Sequence, residues 1–262
     1  MFKEVEIQGH RGCRGHMPEN TLPAFEKAIQ LKVPVLEMDV CISRDLEVVV
    51  SHEPWFSPEL TDHPIAMKGP LENNLYRLPY EAIAKVDVGL VPHPRFPEQI
   101  KLPAWKPLLG EVLHLAITRK PNIRFNIEIK SRPEGDNRYH PEVNDFCQLV
   151  WEVLDSFDAM EQCTIQSFDK RALQWFKEAN YKGPLSLLNE DPIELDSLLT
   201  QLGFHPEYYS PNFPLIDEAL VKACESKQIK LLPWTVNTVE EANRLYALGL
   251  RTWITDYPEK FL

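Results

Sequence analysis

The sequence predicts an α/β protein of the (β/α)8 TIM-barrel class, with a small insertion after the second strand. Short β-rich runs alternate with amphipathic helical stretches along the whole chain. Eight such runs can be traced, and no glycine-rich dinucleotide fingerprint follows the first of them. Strand–helix alternation builds a parallel sheet, because each crossover helix covers a face of that sheet. Eight strands favour a closed barrel over an open, doubly wound sheet.

The expected strands lie at residues 5–10, 35–42, 123–130, 162–166, 184–187, 207–210, 230–235 and 251–255. Between them, helices are expected at 21–31, 108–117, 143–157, 170–179, 193–202, 216–226 and 239–247. The first shows the reason: Leu22, Phe25, Ala28 and Ile29 recur at helical spacing and form one apolar stripe. Thr21 is the expected N-cap, and Pro23 suits the first turn. A further β-rich run at 47–51 leads into His52.

Residues 53–103 break the rhythm. This stretch is proline-rich, with little period and at most one helix near 80–86. So long a segment is unusual for a plain loop inside a barrel. It reads as an insertion lying over the C-terminal face, where active sites of this fold are built. The 262 residues match the roughly 250 that one barrel needs, so residues 1–262 are read as a single domain.

Composition narrows the functional classes. The net charge is -11, and no cluster of Lys and Arg offers a nucleic-acid surface. An anionic substrate would need a local cation to enter such a field. The five cysteines, Cys13, Cys41, Cys147, Cys163 and Cys224, are odd in number and contain no CxxC pair. Neither a disulfide framework nor a zinc site is suggested. No apolar run reaches membrane-spanning length, and no leader-like pattern opens the chain. The expectation is a cytoplasmic protein without stable membrane insertion. Oligomeric state is not legible.

The third expected barrel strand is the most informative. Asn122, Arg124, Asn126, Glu128 and Lys130 alternate with Ile123, Phe125, Ile127 and Ile129. Period two separates a polar face from an apolar one. In a barrel the apolar face meets the helices and the polar face points inward; the same pattern alone would also suit a half-exposed edge strand. The second strand repeats it, with Glu37 and Asp39 on one face. Three carboxylates on the barrel side repel one another unless neutralised. A hard dication with oxygen ligands would explain Glu37, Asp39 and Glu128 together, as would surface salt bridges. His10 and Arg11 end the first strand, supplying a titratable imidazole and a phosphate-binding fork between Gly9 and Gly12. His52 is a second imidazole, so that the two could act as acid and base. Trp234, at the end of the seventh strand, could wall a small substrate or merely pack under a loop.

Taken in order, these fragments resemble a known family. His10-Arg11-Gly12, Pro18-Glu19-Asn20-Thr21, Glu37-x-Asp39-Val40, Asp45 and His52 are similar to the N-terminal signature of the glycerophosphodiester phosphodiesterases. Glu128-Ile129-Lys130 resembles their strand-three element. Trp234-Thr235-Val236-Asn237 and Thr255-Asp256-Tyr257-Pro258 resemble their last two strands. Two positions depart from the pattern: Ser43 where the family usually has Thr, and Glu53 where it often has Asp. The resemblance implies metal-dependent hydrolysis of a glycerophosphodiester to sn-glycerol 3-phosphate and an alcohol, through a cyclic phosphate. It implies Glu37, Asp39 and Glu128 as ligands of one divalent cation, Mg2+ or Ca2+. His10 and His52 would be the general base and acid, with Arg11 and Lys130 the phosphate contacts. Glu19 could support His10 or the metal ligands. The segment after strand two resembles the family's own insertion, a source of substrate selectivity. Two alternatives stand beside this. One is a lysophospholipase D or phosphoinositide-type lipase whose apolar path would use Trp55, Phe56, Leu60 and Trp105. The other is a barrel that binds phosphate without catalysis.

Overall fold

The computed structural model describes Phe2, residues 4–69 and residues 71–262; Pro70, inside the expected insertion, lies outside them. In chain order the strands are β1 (Glu6–Gly9), β2 (Val35–Ile42), β3 (Val48–Val50), β4 (Arg124–Ile129), β5 (Cys163–Ser167), β6 (Leu185–Asn189), β7 (Tyr208–Pro211), β8 (Lys230–Leu231) and β9 (Thr252–Thr255). Eight of them are parallel neighbours in the order β9-β1-β2-β4-β5-β6-β7-β8, and β3 pairs antiparallel with the end of β2. The helices are α1 (Leu22–Gln30), α2 (Tyr80–Ile83), α3 (Leu109–Arg119), α4 (Val143–Ser156), α5 (Lys170–Glu178), α6 (Leu195–Leu202), α7 (Glu218–Ser226) and α8 (Val239–Ala247). This is the expected nearly closed (β/α)8 barrel.

Closure happens just beyond β8. The expected strand at 230–235 is regular only over Lys230–Leu231. Pro233 then interrupts it, since a proline has no N–H to give the ladder. The Pro233 carbonyl instead accepts from the Ile254 N–H, and the Val236 N–H donates to the Ile254 carbonyl, each at 2.9 Å. Those two bonds join the last-formed edge to β9.

The alternation in β2 and β4 sorts side chains as expected. Leu36, Met38, Val40 and Ile42, with Phe125, Ile127 and Ile129, face the helices and enter the main core beside Phe25, Phe146 and Phe176. Burying one such side chain contributes about 1.5–3 kcal/mol, so this layer supplies the frame's rigidity. The inner face is polar and bonded. Asn126 Nδ2 donates to Gln8 Oε1 at 2.7 Å and to Gln166 Oε1 at 3.1 Å. Arg124 stays exposed at the opposite rim, paired with Glu6.

Helix starts follow local chemistry, with one correction. Asp169 caps α5 by accepting from the Arg171 N–H, and Thr238 with Glu241 forms a capping box on α8. Thr21 precedes α1 as expected, yet its hydroxyl donates to the Pro18 carbonyl at 2.6 Å and caps nothing. The turn before the helix competes for that hydroxyl and wins it.

The insertion has a small core of its own. Phe56, Ala66, Leu75, Ile83, Val86 and Val88 pack on Cys41 and Val49 from β2 and β3. Of the expected helix near 80–86, α2 covers the first turn. The segment also reaches two neighbouring loops at the C-terminal face. The Ile100 N–H donates to the His16 carbonyl at 2.8 Å, and Asn74 Nδ2 donates to the Arg138 carbonyl at 2.5 Å. It therefore borders the mouth of the barrel.

Candidate active site

Register brings the carboxylates together. Asp39 of β2 is the Cα partner of Glu128 on β4, and Glu37 is the partner of Asn126. All three acids are buried, and one oxygen from each lies within 4.8 Å of the others. The three expected metal ligands thus converge on one point.

Each carboxylate is also anchored. Glu37 accepts from the Arg11 backbone N–H and from Gln166 Nε2, both at 2.8 Å. Asp39 accepts from Asn20 Nδ2 at 2.8 Å and lies 3.4 Å from Arg11 Nε. Glu128 accepts from Lys130 Nζ at 2.8 Å, and that ammonium is 3.7 Å from Asp39. Arg11 (φ +50°) and Asn20 (φ +56°) sit in the left-handed region, an arrangement costing roughly 1–3 kcal/mol at each residue. Both point a donor at the acids. Gly12 allows the loop its tightness: at φ +87° a Cβ would come within 2.7 Å of the Ala24 backbone.

The acids do not ionise independently. Burial, and then the Asp39 charge, hold Glu37 well above the ordinary carboxylate range. Burial raises Glu128 to about 7 against the pull of Lys130, with Asp39 adding to the rise. Asp39 moves the other way. Burial opposes its charge, but Arg11, His52 and Lys130 outweigh burial and hold it below the usual range. A centre made only of oxygens, in which burial and mutual repulsion hold two of the three carboxylates towards their uncharged form, fits a hard dication such as Mg2+ or Ca2+ that would favour all three as anions.

The two imidazoles have separate partners. His10 Nδ1 lies 2.6 Å from Asp256 Oδ1, and Asp256 Oδ2 accepts from Asn237 Nδ2 at 2.8 Å. The Asp256 N–H donates to Asn237 Oδ1 at 3.0 Å, fixing the carboxylate from both sides. Burial lowers the His10 pKa despite Asp256, and Arg11 and Arg14 add to the fall. His52 Nδ1 lies 2.7 Å from Glu53 Oε1, so the longer acid at this position does reach the ring. Burial and Arg11 lower the His52 pKa, while Asp39 opposes them.

Arg11 Nη1 donates to Glu19 Oε1 at 2.6 Å. Glu19 also pairs with Arg14 at 2.5 Å and lies 3.6 Å from His93 of the insertion. Lys130 is held by Glu128 and Asp39 and so sits beside the acidic centre. Trp234 Nε1 donates to the Ser210 carbonyl at 2.8 Å, and its ring meets Phe168 edge to face at 5.7 Å. Phe56 and Leu60 belong to the insertion's core, whereas Trp105 remains exposed.

Several residues escaped the sequence reading. Asp256 and Asn237 were visible only as members of a strand-end pattern. A carboxylate just past a barrel strand was the available signal. Gln166, Arg14 and Lys106 gave none. Lys106 is buried and donates from Nζ to Ser51 Oγ at 2.6 Å, and that hydroxyl donates to the Glu53 carbonyl at 2.6 Å. The pair steadies the backbone on either side of His52.

A (β/α)8 barrel carrying acids, imidazoles and an arginine at its C-terminal face defines a class, the barrel hydrolases of phosphate esters. The model of the Glycerophosphoryl diester phosphodiesterase family matches residues 10–260, and the chain belongs to that family. It is accordingly an enzyme, a phosphoric diester hydrolase. A glycerophosphodiester phosphodiesterase of Caldanaerobacter subterraneus subsp. tengcongensis is 29% identical over 98% of this chain and 96% of its own. A structure from Silicibacter pomeroyi, provisionally named a glycerophosphoryl diester phosphodiesterase, is 27% identical. It superposes with a TM-score of 0.86 over 97% of this chain and 90% of that one. A phosphodiesterase of Oleispira antarctica in complex with the product sn-glycerol-3-phosphate shares the fold, with a TM-score of 0.80 at 22% identity. That match covers 97% of this chain and 94% of the other.

Proposed function

We propose that the chain hydrolyses glycerophosphodiesters to sn-glycerol 3-phosphate and an alcohol, by acid/base catalysis from His10 and His52 through a cyclic phosphate. The observation that carries this reading is the convergence of Glu37, Asp39 and Glu128 within 4.8 Å beside Arg11. Those three acids would hold one divalent cation, Mg2+ or Ca2+, which when bound supplies positive charge to the phosphate and acidity to a nearby hydroxyl. Its charge also answers how so acidic a protein accepts an anion.

The chain's own groups supply the remainder. Arg11 is kept fully charged by Glu19 and Asp39 and faces the phosphate oxygens, with Lys130 as a second cation. Burial lowers the pKa of both imidazoles, which favours the uncharged, proton-accepting form of each. One takes the proton of the glycerol 2-hydroxyl as that oxygen attacks phosphorus. The other, charged beside the anionic diester, returns a proton to the departing alcohol. The roles then reverse while water opens the ring. Asp256 and Glu53 orient the rings and steady the imidazolium of each half-reaction.

A coupled assay of glycerol 3-phosphate release across several head groups, with and without added metal, tests the reading. Release that is metal-dependent is the expected result, and none from any diester would overturn it. The lysophospholipid alternative needs an apolar path, yet Phe56 and Leu60 are spent in the insertion's own packing. Glycerophosphocholine should therefore turn over faster than lysophosphatidylcholine. All five cysteines are unpaired and buried, in keeping with action in a reducing compartment such as the cytoplasm. Among the described residues no helix is long and apolar enough to cross a membrane.

A further inference from the structure

A second group of ligand-type side chains lies outside the acidic centre. Cys13 and His16 come from the loop after β1, and Glu259 comes from the short turn Pro258–Lys260 after β9. One donor atom from each lies within 4.8 Å of the other two. His16 Nε2 is 3.0 Å from Glu259 Oε1. The second carboxylate oxygen of Glu259 is shielded from solvent yet has no hydrogen-bond partner. A shielded acceptor left without a donor is unfavourable, and a bound cation would satisfy it.

The backbone is built to hold the three together. The His16 and Met17 N–H groups both donate to the Cys13 carbonyl, at 2.9 and 3.0 Å, folding Cys13 and His16 into one turn. The Gly15 N–H donates to the Asp256 carbonyl at 2.9 Å, docking that turn on the C-terminal segment. A Cβ on Gly15 would fall 2.4 Å from the Tyr257 ring, so a close approach of the two segments depends on glycine there. Cys13 is buried while His16 and Glu259 are each about a third exposed, leaving an entry path from solvent.

We propose that Cys13, His16 and Glu259 bind a borderline divalent transition metal, zinc being the class that suits one sulfur, one nitrogen and one oxygen donor, with water as the fourth ligand. The acidic centre, all oxygen, selects a different kind of ion. Burial pushes the Cys13 thiol up to about 12, so the ion enters a neutral thiol and displaces its proton to solvent. No CxxC pair announces the site, because its third ligand is 243 residues away from His16 in sequence (259 − 16). The position suggests the consequence. Cys13 follows His10 by three residues, and Glu259 follows Asp256 by three. The ion would clip together the two segments that carry the His10–Asp256 pair.

Cobalt(II) titration of the reduced, metal-stripped full chain tests this directly. A thiolate-to-cobalt charge-transfer band in the near ultraviolet is expected at one equivalent bound with sulfur. The acidic centre cannot produce that band, because it contains no thiolate. C13S should abolish it, and H16Q and E259Q, both at the surface, should each weaken cobalt binding at least tenfold while circular dichroism stays unchanged. Absence of the band in the folded wild-type chain at millimolar cobalt would overturn the proposal. So would its persistence in C13S, or its insensitivity to both H16Q and E259Q.

Discussion

His10 at the end of β1 and Asp256 just past β9 lie 246 residues apart in sequence and 2.6 Å apart in space. The two strands are parallel neighbours in register from Glu6–Thr252 to Gly9–Thr255. The residue after each ladder therefore emerges at the same height. Asn237 then grips the carboxylate, which leaves it one orientation towards the imidazole.

This pairing makes D256N informative. The amide can present an N–H to His10 and select the wrong tautomer. The expected loss in kcat is about 10²- to 10⁴-fold, by analogy with other carboxylate–histidine pairs. Because the substitution conserves shape, the circular dichroism spectrum and the urea midpoint should move little. Unchanged turnover would separate Asp256 from the chemistry.

H10A and H52A should each lower turnover by orders of magnitude without unfolding the chain. E53Q weakens only the support of His52, and roughly a tenfold loss is expected, with E53D restoring most of it. Steady-state kinetics at saturating substrate is the measurement. Near-normal rates in H10A or H52A would remove that ring from the mechanism.

Thorough treatment with EDTA should abolish activity, and added Mg2+ or Ca2+ should restore it. E128Q removes one of three oxygen ligands, so its activity should need at least tenfold more metal for half-restoration. Full activity after chelation, checked by elemental analysis, would refute the assignment of the acidic centre.

Glu19 predicts a pH-dependent stability. Burial opposes its charge, but Arg11, His93 and Arg14 outweigh burial and hold its pKa well below the ordinary value. A depressed folded-state pKa stabilises the protein above the unfolded value, near 4.3, and that contribution is lost as pH falls through the folded value. E19Q strands buried cations and should cost about 3–5 kcal/mol at pH 7. Urea unfolding of both proteins should show a constant gap between about pH 6 and 8, narrowing below about pH 4. A gap independent of pH would mean that the carboxylate charge is not what Glu19 contributes.

Much of the frame was legible because it is written locally. The period-two pattern of β2 and β4 separated helix-facing Met38 and Ile127 from inward-facing Asp39 and Glu128, and both faces stand where alternation put them. The helical stripe of α1 behaved likewise. Local pattern failed where a competitor was present. Pro233 cut the expected strand at 230–235 short, and the Pro18 carbonyl took the hydroxyl expected to cap α1.

The barrel, the inward direction of its acids and the motif order that marks the family can all be read along the chain, since side-chain period and ordered spacing are local properties. Which groups touch follows from the folded arrangement alone. Barrel closure places β1 beside β9, so His10 meets Asp256. The insertion folds back until His93 reaches Glu19. Lys106 descends on Ser51 to steady the stretch around His52. Contacts between segments this far apart depend on register and loop path, and no local periodicity encodes either.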